Sequence, residues 1–131
     1  MADQFQIELV SPEKKVTSAK AVSVVLPGME GDMTALPNHS TFLTSLRPGV
    51  LTVNATDAVH EYVVTGGFAE ICGSTTTVLA ERAILKKEIT KEFLEALIEE
   101  AEEAFGAADS ERKSDAGLRL NDIRKLEELF G

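Results

Sequence analysis

Between Pro27 and Gly49 the chain reads PGMEGDMTALPNHSTFLTSLRPG, and the punctuation of this stretch limits what the whole can fold into. Pro-Gly pairs stand at both ends, Glu30-Gly31-Asp32 is an acidic turn signal and Pro37-Asn38-His39 is another. The intervals between them, Met33 to Leu36 and Thr41 to Leu46, have the length of strands. Pieces this short carry little core of their own. They suit sheet-edge loops presented to a partner from a rigid scaffold.

The same rhythm runs through the first two thirds of the chain. Phe5, Ile7 and Leu9 alternate with Gln4, Gln6 and Glu8, the period of two that puts apolar side chains on one face of a strand. Ser11-Pro12-Glu13 turns the chain, Lys14 to Thr17 returns, and Ala21 to Leu26 is β-branched enough for another strand. Val50 to Val53, Val59 to Thr65, Phe68 to Cys72 and Thr75 to Leu79 follow, with Asn54 to Asp57, Gly66-Gly67 and Gly73-Ser74 supplying turns between them. The spacing predicts an antiparallel sandwich or barrel of about ten strands.

Near Glu81 the pattern changes to Glu, Ala, Leu and Lys without proline. One helix is expected from an N-cap at Thr90 to Phe105, with Phe93, Leu94, Leu97, Ile98, Ala101, Ala104 and Phe105 at helical spacing. After a break at Gly106 to Ser110, a second is expected from Asp115 to Phe130 on Leu120, Ile123, Leu126 and Phe130, with Leu118 and Leu129 at the edge of the seam. The fold class is therefore α+β: a β-sandwich over 1–87, then an antiparallel two-helix hairpin over 88–131.

A chain of 131 residues with 44% apolar content has enough material for a proper core. Its net charge of −9 argues against nucleic acid, whose phosphates require clustered Lys and Arg. No apolar run approaches the ~20 residues of a spanning helix, so membrane association is expected only through another protein. Cys72, the single cysteine, permits no internal disulfide and reads as a half-buried strand-end residue. From Glu88 onward there are 13 acidic and 6 basic residues, and five of the basic ones, Arg112, Lys113, Arg119, Arg124 and Lys125, follow the helix break. They make a basic stripe that an acidic partner would fit.

Catalytic material is sparse. Two histidines and one cysteine cannot close a tetrahedral zinc site without scattered carboxylates. The chain holds no HExxH, no G-x-S-x-G elbow and no phosphate loop, and Gly66-Gly67, followed by Phe68, suits a hairpin turn better than a phosphate cradle. Glu30 and Asp32 could pose as paired carboxylates, but a short, solvated turn beside Gly31 suits general acid work poorly. His39, after Pro-Asn, reads as a turn residue bonded to backbone or as a contact to another protein. No catalytic residue, metal or cofactor is expected.

Taken in order, Glu30-Gly31-Asp32, Pro37-Asn38-His39, Leu43-Thr44, Pro48-Gly49, Gly66-Gly67 and Thr77-Val78-Leu79-Ala80 resemble the N-terminal domain of the epsilon subunit of bacterial F-type ATP synthases, the equivalent of the mitochondrial delta subunit. The resemblance spans residues 4 to 87 closely and the remainder by architecture. It implies a non-catalytic rotor subunit of the central stalk, coupling the gamma subunit to the c-ring. Glu30, Gly31 and Asp32 would meet the c-ring; His39, Ser40, Thr41, Phe42, Leu43 and Thr44 would lie toward gamma.

The resemblance also implies that the hairpin regulates, inhibiting ATP hydrolysis when its basic residues meet the alpha and beta catalytic subunits. Relatives that bind ATP on the hairpin carry [IL]-D-x-x-R-A; here the positions read Ile89-Thr90-Lys91-Glu92-Phe93-Leu94, without the guanidinium that would grip phosphate. Weak or absent ATP binding is expected. The competing reading is a stand-alone nucleotide-binding sandwich with a helical lid. With nothing like a basic, acid-poor presequence before Asp3, the expected location is the cytoplasmic face of a bacterial plasma membrane, held there peripherally through the complex.

Overall fold

The computed structural model describes residues 4–37 and 41–130, and the chain divides into two compact units, Met1–Lys86 and Lys87–Gly131. The described part of the first unit holds β1 (Phe5–Val10), β2 (Lys15–Ala21), β3 (Ser23–Gly28), β4 (Gly31–Ala35) and β5 (Phe42–Leu46). It continues with β6 (Gly49–Asn54), β7 (Val59–Val64), β8 (Gly67–Cys72), β9 (Thr75–Ala80) and β10 (Ala83–Leu85). Hydrogen bonding runs in the order β10-β7-β6-β3-β5-β8-β9-β1-β2, with β4 on β3. Strand β3 meets β5 only at Gly28 and Leu46, so the path folds there into two layers.

Between the layers lies the core. Ile7 and Leu9 of β1, Val24 and Leu26 of β3, Leu51 and Val53 of β6, Ala69 and Ile71 of β8 and Val78 of β9 are buried together. Each such Ile, Leu or Val contributes about 1.5–3 kcal/mol by leaving water. Alternation along β1, β6 and β8 aims these residues inward, as period-two patterning requires.

Three features differ from the sequence reading. Gly66-Gly67 is not a hairpin turn: β7 pairs with β6 and β10, whereas β8 pairs with β5 and β9. The two glycines instead carry the chain from one layer to the other. Glu81 and Arg82 do the same for β9 and β10, and the two crossing segments bond each other through Glu81 N–H to Gly66 O (3.0 Å) and Thr65 N–H to Arg82 O (3.2 Å). Such corners, where strands change sheets at a bend, are how two layers become nearly continuous.

The second difference is direction. β1 pairs with β2 antiparallel but with β9 parallel, the chain between them serving as the long crossover that a parallel pair needs. The third is β10, three residues that pair with β7 at Ala83–Val64 and Leu85–Tyr62. A segment so short shows no periodicity; it is a strand only because β7 offers it an edge.

In the second unit, α1 (Lys91–Ala107) begins where Thr90, in extended conformation, accepts the Phe93 N–H on its hydroxyl at 3.1 Å. This N-cap satisfies one of the orphan donors of the first turn. α2 (Lys113–Phe130) starts two residues before the expected Asp115. Leu97 and Ala101 of α1 and Leu120 and Ile123 of α2 form the interhelical core, with Phe93, Ile98 and Phe105 packed on its margin. Ala104, placed on the apolar face by spacing, is exposed.

Candidate functional site: an apolar sheet face, an acidic tip and a helical hairpin

On the outward side of β5, β8, β9 and β1, alternation should leave polar residues, and it does so only in part. Phe68 lies directly across from Leu79 in the β8–β9 ladder, and Val10 of β1 lies on the other side of Leu79. Leu43 stands two residues along β5 from Ser45, which faces Phe68. Leu43, Phe68 and Leu79 are 68%, 56% and 53% exposed, whereas their neighbours Ala69, Ile71 and Val78 are fully buried. Phe68, Leu79 and Val10 thus stand side by side in one outward row, and Leu43 lies diagonally from Phe68 in the next row, which continues through Glu70 and Thr77. Surfaces of this kind mark sites of association.

Of the residues expected to face a neighbour near this region, His39 and Ser40 lie outside the described residues. Thr41 is exposed just before β5. Leu43 belongs to the outward face. Phe42 and Thr44 pair with Ile71 and Ala69 of the inward row, so they occupy the opposite side of the strand. Phe68 and Leu79 were missed. Their signal was present: Phe68-Ala69 and Val78-Leu79-Ala80 are runs of adjacent apolar residues in strands, and one residue of each adjacent pair must point away from the core.

Glu30, Gly31 and Asp32 sit at the β3–β4 hairpin. Gly28 pairs with Gly31, leaving Met29 and Glu30 as the two loop residues, and Asp32 stands opposite Pro27. All three residues of the acidic motif are exposed, beside a Met29 that is also exposed. The tip therefore presents two carboxylates and a thioether, a combination suited to a basic, partly apolar partner surface.

The basic residues after the helix break do not form one free stripe. Arg124 reaches Glu102 of α1 at 3.2 Å, and the Lys113 ammonium lies 4.7 Å from the centre of the Phe105 ring. Both face α1, leaving Lys125 exposed on another side. Asp122 is buried despite its charge, a placement that helical spacing did not indicate.

At the open end of the hairpin, Ile89, Thr90, Lys91, Leu94, Glu127, Glu128 and Phe130 line a groove of about 670 Å³. Thr90 is committed to capping α1, Phe93 to the margin of the interhelical core, and Leu94 is buried. The groove offers one ammonium against two carboxylates. A polyphosphate would meet net repulsion there, which disfavours a nucleotide. No cluster of three potential metal ligands exists among the described residues, and no helix is long and apolar enough to cross a membrane. Cys72 is a free thiol at the end of β8, 3.6 Å from a Glu70 carboxylate oxygen.

The family model described as ATP synthase, Delta/Epsilon chain, beta-sandwich domain matches residues 4–86. The ATP synthase epsilon chain of Ruegeria sp. (strain TM1040) is 51% identical over 126 residues, covering 96% of this chain and 90% of its own. That of Rhodobacter capsulatus is 44% identical over 126 residues, with 96% of each chain covered. Among solved structures, a chain in the Euglena gracilis mitochondrial ATP synthase, OSCP/F1/c-ring in rotational state 1, superposes with a TM-score of 0.75 at 23% identity, covering 98% of this chain and 82% of that one. A chain in the Tetrahymena thermophila central stalk and c-ring structure gives 0.58 at 15% identity, over 69% of this chain and 72% of that one. At these identities the structural matches speak to the fold.

Proposed function

This chain belongs to the delta/epsilon family of ATP synthase subunits, and from that premise we propose that it is a central-stalk subunit whose sandwich joins the gamma subunit to the c-ring and whose hairpin restrains ATP hydrolysis. It is a non-catalytic subunit, like the epsilon chains it matches. The observation that carries the reading is the outward apolar face of Leu43, Phe68 and Leu79. A sandwich whose core is already complete gains nothing by exposing a phenylalanine opposite a leucine, unless a partner covers them.

Gamma is the occupant proposed for that face, and His39, Ser40, Thr41, Phe42, Leu43 and Thr44 are proposed to lie toward it. The acidic tip of Glu30, Gly31 and Asp32 is proposed to meet the polar loops of the c-ring. Arg112, Lys113, Arg119, Arg124 and Lys125 are proposed to meet acidic helices of the alpha and beta subunits once the hairpin departs from its closed form, because Lys113 and Arg124 are occupied within it. The subunit would then lie peripherally at the cytoplasmic side of the membrane.

The physics of the hairpin supports a switchable element. Its two helices bury Leu94, Leu97, Leu120, Ile123 and Leu126 as large side chains, at about 1.5–3 kcal/mol each, a modest total for an element of this length. Isolated helices of this length are marginal. A partner with modest preference for the separated form therefore shifts the population.

The direct test is co-elution of the full chain with purified gamma. The parent chain should co-elute, and Phe68→Glu should weaken the complex by at least about 30-fold, the scale of a central hot spot of ~2 kcal/mol. Undiminished binding by Phe68→Glu together with Leu79→Glu would refute the assignment of this face.

A further inference from the structure

We propose that the closed hairpin is clasped at its turn by a seat that Gly117 provides for the Phe105 ring, with the Lys113 ammonium over that ring, and that freeing this seat lets the two helices part. The proposal concerns the hairpin's own equilibrium and rests on the regulatory reading above only for its consequence in the complex.

Glycine is the poorest ordinary helix former, and α2 carries one at its fifth residue. Space explains it. A β-carbon at Gly117 would stand 3.6 Å from Phe105 Cδ1, an ordinary contact, but 3.1 Å from Cε1, so the ring would have to give by a few tenths of an ångström, and a branched side chain would displace it further. The missing side chain is thus the socket in which the ring of α1 rests. Lys113 lies one turn before Gly117 on the same helix, and its Nζ is 4.7 Å from the ring centroid, within cation–π range. The ring is therefore held by α2 at two positions one turn apart.

The Glu102–Arg124 pair is 54% exposed on both sides, a setting in which ion pairs add little. The interhelical core of Leu97, Ala101, Leu120 and Ile123 lies along the middle of the two helices, and Phe105 extends it toward the turn. At the turn, Asp109 accepts the Arg112 N–H on its carboxylate at 3.0 Å, which starts α2 but does not bind it to α1. Phe105 joins the two helices there through Gly117 and Lys113. It is also only half-buried, so withdrawing it opens no closed cavity in the core.

The test uses the full chain with Cys72→Ser and spin labels on cysteines at Glu99 and Lys125, both exposed, with the interlabel distance distribution as the readout and far-UV dichroism as the check on helix content. Gly117→Val should raise the separated population about tenfold, the effect of ~1.4 kcal/mol, and Phe105→Ala should do the same. The double variant should add little to either single one, since both remove one contact. Lys113→Gln, which disturbs no packing, should shift the distribution in the same direction but less.

Parent-like distances in Gly117→Val and Phe105→Ala with helix content retained would overturn the proposal. If Gly117→Val loses its helices, Lys113→Gln and Phe105→Ala decide, and parent-like distances in both again overturn it. Hydrolysis by the reassembled complex separates the two readings. A hairpin that opens without changing hydrolysis upholds the clasp and refutes the regulatory role.

Discussion

Replacing Gly67 by alanine should cripple the sandwich, and the size of the effect follows from the corner this residue occupies. Gly67 has φ of +140°, a region that residues with a β-carbon rarely enter, at a penalty of about 1–3 kcal/mol. A β-carbon there would overlap the Leu79 carbonyl oxygen and stand 2.9 Å from Ala80 Cα, and both obstacles are backbone of the paired strand. Relief requires β8 to move away from β9 at the Gly67–Ala80 pair, and Gly67 is also paired with Leu46 of β5. Losing ladder hydrogen bonds there adds about 1 kcal/mol each.

The sum is about 3–5 kcal/mol, a large share of the ~5–15 kcal/mol that holds a domain together. For a unit of this size that is a fall in Tm of roughly 12 °C or more. Urea unfolding followed by far-UV dichroism measures it, and Gly31→Ala is the control: Gly31 has φ of +125° but nothing within 4 Å of its would-be β-carbon. Equal losses from the two substitutions would refute the overlap and leave only backbone strain.

Other expectations follow from single side chains. The Thr76 hydroxyl is fully buried without a hydrogen-bond partner, so Thr76→Val should raise stability by about 1 kcal/mol in the same urea assay, and a loss would show that the hydroxyl is satisfied. Thr90→Ala removes the cap of α1 and should lower stability of the helical unit by about 1 kcal/mol, seen as a lower midpoint of the helical dichroism signal on heating. Calorimetric titration with ATP should show no micromolar site, since the residues at the matching positions serve as cap and apolar packing and two carboxylates line the groove; a micromolar Kd would reverse that account.

Much of the architecture was legible because its causes are local. The alternation in FQIEL, the β-branched AVSVVL and the helical spacing of Leu94, Leu97 and Ala101 each record which face meets a core. Thr90 was identifiable as a cap because the hydroxyl it contributes acts three residues away. Gly66-Gly67 was visible as a backbone exception, but a hairpin and a change of sheet ask the same freedom of glycine. Only the pairing of β8 with β5 and β9 distinguishes them.

The sequence by itself determined the list of strands long enough to alternate, the two helices with their apolar faces, and the ordered motifs by which the family is known. Tertiary structure decided what depends on residues far apart in the chain: the parallel β1–β9 pair, the edge that makes β10 a strand, the meeting of Leu43, Phe68 and Leu79 on one outward face, and the seat of Phe105 on Gly117. The physical reason is that a residue's own periodicity tells which way it points, whereas what it points at is set by how distant strands and helices close the chain.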